Sequence, residues 1–230
     1  MGQIRLPGNP PIDVSLRRSA RARRLSLRLS QLDGRVTLTL PRAVSEAEGL
    51  AFLSDKESWL RTHLDKRAAS VTVSEGAVIP VEGRACRVVS TAGRRVRLEG
   101  DLLHVPGPMG PRLQGWLRTL ARDRLASASD RYAARLGRPY SKLTLRDTRS
   151  RWGSCTAAGG LMYSWRLILA PPDVLDYVAA HEVAHLAEMN HSPAFWATVQ
   201  RLYGDWQTPR AWLRREGAGL HRYRFDLSDE

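Results

Sequence analysis

The sequence predicts an α+β fold in two parts. Residues 1–106 read as a small β-rich N-terminal module with one helix, and residues 107–230 as a more helical domain. Three observations carry this reading. Short runs of alternating apolar residues fill the first part. A long helical stretch, about Leu113 to Leu136 and closed by Gly137, opens the second. Between them, Pro106-Gly-Pro-Met-Gly-Pro111 places three prolines in six residues, which suits a linker or a helix start.

Leu25, Leu27 and Leu29 alternate with polar residues, and Val36, Leu38 and Leu40 alternate again after Asp33-Gly34. That is the pattern of a β-hairpin with its turn. Ser45-Glu-Ala-Glu48 is a capping box, and it predicts a helix to about Leu64 with Leu50, Leu53, Leu60 and Leu64 near one face. Short strands follow at Ala77–Val81, Cys86–Ser90, Val96–Leu98 and Leu102–Val105, the last pair turned by Glu99-Gly100-Asp101. The long helix ends at Gly137, a suitable C′ residue. Leu143–Leu145 and Leu161–Leu169 read as strands. Asp173 reads as the N-cap of a helix carrying Val174, Val178, His181 and His185. After a loop at Met189–Ser192, Ser192 and Pro193 read as N-cap and first residue of a helix to about Tyr203. A shorter helix near Pro209–Arg215 completes the domain.

Apolar residues make up 43% of the 230 and charged residues 26%, so the chain can bury a core and is not a disordered polymer. No run approaches the roughly 20 apolar residues of a membrane span. The first residues, MGQIRLPGNPP, lack the apolar core of a secretory signal. The expectation is a cytoplasmic protein with no membrane partner. Cys86 and Cys155 are the only cysteines; they form no CxxC knuckle and read as small, partly buried side chains. The net charge is +13, carried almost wholly by arginine, which permits attraction to nucleic acid or nucleotides without demanding it.

His181-Glu182-Val183-Ala184-His185 carries the chemistry. On a helix, positions i and i+4 stand one turn apart on the same face, so two imidazoles can share one metal ion. Glu182 is rotated about 100 degrees away from His181. From there it can reach a metal-activated water as a general base, which is the logic of HExxH in metal-assisted hydrolysis. With six histidines and ten glutamates, about 0.007 chance matches are expected in a chain of this composition. A catalytic zinc takes three protein ligands and leaves one position open. The third should lie beyond the motif helix. His191 is the first choice, brought back by a left-handed turn at Asn190. Glu188 is the rival, because i, i+4, i+7 keeps it on the same face. His63, His104 and His221 lack this spacing, although His221 could enter the cleft from the C-terminal side.

Residues 149–206 resemble the YgjP-like metallopeptidase family, a relative of the SprT-like and other zincin proteases. The residues that carry the resemblance are Arg151-Trp-Gly-Ser-Cys155, Leu175–Ala180, His181–Leu186, Asn190-His191-Ser192, Phe195-Trp196 and Asp205-Trp206. The basic stretch Arg17–Leu29 and the helix with Trp59 resemble the N-terminal part of that family. The resemblance implies a zincin-like catalytic domain, zinc as cofactor at His181, His185 and His191, Glu182 as catalytic base, and a peptide or protein substrate. By analogy with zincins it also makes the strand at 161–169 an edge on which an extended peptide lies. Tyr163, Arg166, Tyr203 and His221 are the candidates for stabilising the transition-state oxyanion.

Two other readings share the same residues. A metal-dependent nucleoside triphosphate pyrophosphatase acting, for example, on UTP would use the arginine excess to hold phosphates. A DNA-associated protease would use Arg17, Arg18, Arg21, Arg23, Arg24 and Arg28 to bind nucleic acid. Trp152, Trp165 and Trp196 read as core or cleft packing rather than a stacking platform.

Overall fold

The computed structural model describes residues 2–30, 34–65 and 69–225. It divides into two compact units, Met1–Ala69 and Ser70–Glu230. The boundary therefore falls well before the expected 106/107. The strands up to Val105 do not form a module with the N-terminal residues; Ile79, Val81, Cys86, Val88, Leu103 and Val105 pack into one core with Leu113, Leu117 and Leu125. Apolar faces that merge in one core make one unit, whatever punctuation lies between them.

In the first unit, β1 (Gly2–Leu6), β2 (Ile12–Ser19), β3 (Ser26–Leu29) and β4 (Val36–Pro41) form a sheet of order β1-β2-β4-β3. β3 and β4 pair antiparallel, as the alternation predicts, with Leu27 opposite Leu38 and Leu29 opposite Val36. Asp33 of the expected turn lies outside the described residues. The β1–β2 hairpin and the parallel β2–β4 pairing go beyond the sequence reading. The expected single helix is two, α1 (Glu46–Asp55) and α2 (Glu57–Asp65). The capping box is present: Ser45 Oγ accepts from the Glu48 N–H while the Glu48 carboxylate accepts from the Ser45 N–H. Leu53 and Leu60 are buried, but Leu50 is exposed rather than on the core face.

The second unit opens with β5 (Val71–Thr72), followed by β6 (Val78–Val81), β7 (Arg84–Ser90), β8 (Arg97–Glu99) and β9 (Leu102–Val105). The last four form a sheet of order β6-β7-β9-β8. Helix α3 (Met109–Leu136) follows directly and ends on Gly137, whose φ of 72° is the left-handed cap the sequence predicts. Next come β10 (Lys142–Arg146), β11 (Gly153–Cys155) and β12 (Gly160–Ser164), in sheet order β10-β12-β11. The expected strand 161–169 is thus half strand and half 3₁₀ turn, Trp165–Leu169, fully buried against α3. β12 is also the central strand and not an edge.

The chain then forms α4 (Pro172–Ala184), α5 (Pro193–Tyr203) and α6 (Gln207–Glu216). A 3₁₀ segment, Gly217–Arg222, leads to β13 (Tyr223–Arg224). β13 pairs parallel with β5 and so joins the start and end of this unit. Pro171 is the N-cap of α4, with Asp173 in its first turn rather than at the cap. Ser192 caps α5 as expected, its Oγ accepting from the Phe195 N–H. Cys86 and Cys155 are free thiols. No helix among the described residues is long and apolar enough to cross a membrane. The six arginines between 17 and 28 are all solvent-exposed on the first unit.

Candidate metal centre

Helix α4 is held in the core by Val174, Leu175, Val178, Ala179, Val183 and Ala184, which fixes where its last turn points. The HExxH residues sit at that last turn: Ala184 is the final helical residue and His185 is the C-cap. Glu188 N–H donates to the Ala184 carbonyl, continuing the turn. His191 then swings back without the left-handed turn expected at Asn190; among the described residues only Glu82 has a positive φ outside glycine. Asn190 acts through its side chain instead, Oδ1 accepting from the Ser192 N–H.

The result is a cluster in which one ligand atom from each of His181, His185 and His191 lies within 4.8 Å of the others. His181 Nε2 and His191 Nε2 face each other at 3.0 Å. His185 Nδ1 is engaged with the Glu188 carbonyl oxygen at 2.9 Å, which orients its ring and leaves Nε2 free. Glu188 thus contributes its backbone, and its carboxylate is not part of the cluster. Phe195 packs against all three imidazoles, stacked on His185 at 4.4 Å. Burial, followed by the proximity of His185, His191 and Arg210, lowers His181 to about 3. Burial likewise lowers His185. Neutral imidazole is the ligand form.

Glu182 lies beside this cluster and is 5% exposed. Burial pushes its carboxyl up to about 8, and the charge of Arg151 pulls it back part of the way. Its opposite wall is β11. A Cβ built on Gly153 would lie 2.5–2.7 Å from the Glu182 carboxylate and Cγ, so only glycine leaves room for this side chain. Trp152, next to Gly153, packs against His221 with ring centroids 5.2 Å apart, and against Gly217. The carbonyls of Leu220 and Tyr223 in that C-terminal segment accept from Arg166, whose guanidinium also donates to both oxygens of Asp147.

The expected oxyanion candidates differ in what they already touch. Tyr163 is fully buried on Ser129, Arg166 is occupied by Asp147 and two carbonyls, and the Tyr203 hydroxyl donates to the Asp173 carbonyl. His221 is half-buried against Trp152. Among the tryptophans, Trp165 is core, while Trp152 and Trp196 are partly buried; Trp196 borders the cluster and Trp152 packs on His221. Motif spacing alone assigns no chemical role to Gly153, Phe195 or Arg210. Gly153 and Phe195 stand among the residues that carry the family resemblance, which was the available signal for them.

Three imidazoles that converge on one point could hold a metal ion, as the ligands of metal-dependent hydrolases do. The chain belongs to the YgjP-like family, whose metallopeptidase-domain model matches residues 23–216. No curated protein and no solved structure matched the chain.

Proposed function

We propose that the protein is a zinc-dependent metallopeptidase with a zincin-like catalytic domain, in which His181, His185 and His191 hold the ion and Glu182 is the general base. The observation that carries this reading is the convergence of three imidazole nitrogens within 4.8 Å beside a buried carboxylate. The donor set fits zinc. Two nitrogens on a tetrahedral ion with bonds of about 2.0–2.1 Å are about 3.3 Å apart, close to the 3.0 Å between His181 and His191.

Bound there, zinc supplies Lewis acidity toward the scissile carbonyl and lowers the pKa of water. Glu182 accepts a proton as a water oxygen adds to the peptide carbonyl carbon. It then returns that proton to the nitrogen as the C–N bond breaks, leaving a carboxylic acid and an amine. Arg151 favours the ionised, proton-accepting form of Glu182. Gly153 keeps the carboxylate in place, and Phe195 gives the imidazoles a dry backing.

The test is metal content and peptide cleavage in the same preparation. The native protein is expected to bind about one zinc and cleave peptides. Glu182→Gln should keep the zinc and lose about 10²–10⁴ in kcat. Absence of zinc after refolding with the metal sinks the proposal. So does pyrophosphate release from UTP with no peptide cleavage.

A further inference from the structure

The cluster does not end at the histidines. Trp196 has its ring 5.8 Å from those of both His181 and His191. Trp206, the residue before α6, stacks on Trp196 with centroids 4.3 Å apart and planes 28° from parallel. The Arg210 guanidinium lies over both indoles, 4.7 Å from Trp196 and 5.4 Å from Trp206. Beside this stack is an open concavity of about 430 Å³ lined by Trp206, Gln207, Arg210, Ala211, Arg214 and Arg215.

The charge here is unbalanced. Arg215 pairs with Glu216 at 2.7 Å. Arg210 and Arg214 have no carboxylate partner among the described residues. Asp205 is close in sequence, but its two oxygens accept from the Gln207 N–H and the Thr208 hydroxyl. A guanidinium held against two aromatic rings is restricted in its motion while its N–H groups remain donors, which suits bidentate binding of a carboxylate. The two indoles use their facing sides on each other, and the Arg210 guanidinium lies within 5.4 Å of both ring centroids. What the concavity offers a ligand is therefore guanidinium N–H more than a free aromatic face for a nucleobase.

We propose that α6 carries a carboxylate-selective substrate subsite next to the histidine cluster, with Trp196 and Trp206 as its platform and Arg210 and Arg214 as its charge. The proposal rests on the peptidase reading and names its substrate class: peptides with a carboxylate near the scissile bond. That carboxylate comes from an Asp or Glu side chain or from a free C-terminus.

The experiment uses the full chain loaded with zinc and carrying Glu182→Gln, so that binding is read without turnover. It is repeated on metal-free native protein, in case that substitution disturbs folding. Fluorescein-labelled amidated octapeptides that differ only by Glu or Gln at one position are titrated by anisotropy. A neutral octapeptide is also compared as free acid and as amide. The Glu peptide should bind about five- to tenfold more tightly than its Gln twin. Arg214→Ala should erase that advantage, and Arg214→Glu should transfer it to a Lys peptide. An advantage confined to the free acid assigns the subsite to the C-terminal carboxylate. Equal affinities throughout overturn the proposal. So does a single-stranded oligonucleotide that binds more tightly than every peptide and displaces them. If the Glu preference is present but native zinc-loaded protein cleaves no peptide, the peptidase reading fails and the subsite stands. If cleavage occurs without preference, only the subsite fails.

Discussion

In the unit Met1–Ala69, the buried core is aliphatic: Leu6, Ile12, Val14, Val36, Leu38, Leu40, Leu53 and Leu60. The unit Ser70–Glu230 buries Ser129, Ser164, Arg166, Glu182, His185 and Thr198 alongside its apolar core. Burying polar groups is unfavourable unless they are matched, so their concentration in one unit needs a reason. For Ser129, Arg166 and His185 the reason is visible, because each has a hydrogen-bonded partner. Glu182 differs. The influences on it are burial and the charge of Arg151, with no hydrogen bond among them. Burial without a hydrogen-bonding partner disfavours the charged form of this carboxyl, and a shifted carboxyl of this kind marks a candidate functional group. The contrast separates a unit with an aliphatic core from one that buries polar and ionisable groups alongside its apolar core.

Substitutions can break or sharpen that contrast. Leu38→Ala, in the apolar core of the first unit, should lower stability by about 2–5 kcal/mol in urea melts. Zinc content should stay at the native value; loss of zinc along with Leu38 would show that the two units do not behave separately. Gly153→Ala should reduce kcat about 10²-fold, because the new methyl group occupies space taken by Glu182. Wild-type turnover in that variant would remove Gly153 from any role at the site. Asp147→Asn leaves the Arg166 guanidinium without its charge partner; with Asp147 partly exposed, the expected cost is about 2 kcal/mol, read from the melting midpoint.

The smallest effect is a pH dependence. Burial and then Arg166 hold His221 down at about 4, with Arg149 adding to this and Asp147 opposing it. The unfolded chain therefore takes up this proton first, near the ordinary 6.5. Stability from this group is complete above that value and is lost as the pH falls toward 4. His221→Asn should flatten this slope by about 1 kcal/mol after allowance for solvent screening. Identical slopes for both proteins between pH 7 and 4 would show that His221 is not held neutral.

How much of this was legible depends on the range of the interaction. The Ser45–Glu48 capping box, the Gly137 cap and the Ser192 cap are readable because each is closed by residues three or four apart. The β3–β4 hairpin is readable because alternation has a period of two. Leu50 misleads because the buried face of α1 runs through Gly49 and Leu53, four residues apart, and Leu50 is rotated about 100 degrees from Gly49 toward solvent. The boundary expected at Pro106–Pro111 misleads because proline marks a change of direction, not the end of a core. Asn190 misleads because its side chain, rather than its backbone, makes the turn.

What the sequence alone determined is the local constellation: two imidazoles and a carboxylate whose relative directions follow from the helical period, and a third imidazole within ten residues. What only the tertiary structure decided is everything brought to that helix end from far along the chain. Gly153 lies 29 residues from Glu182, and Arg210 lies 29 from His181. Such pairs depend on how sheets and helices share a core, and no periodicity in one segment records which distant segment packs against it.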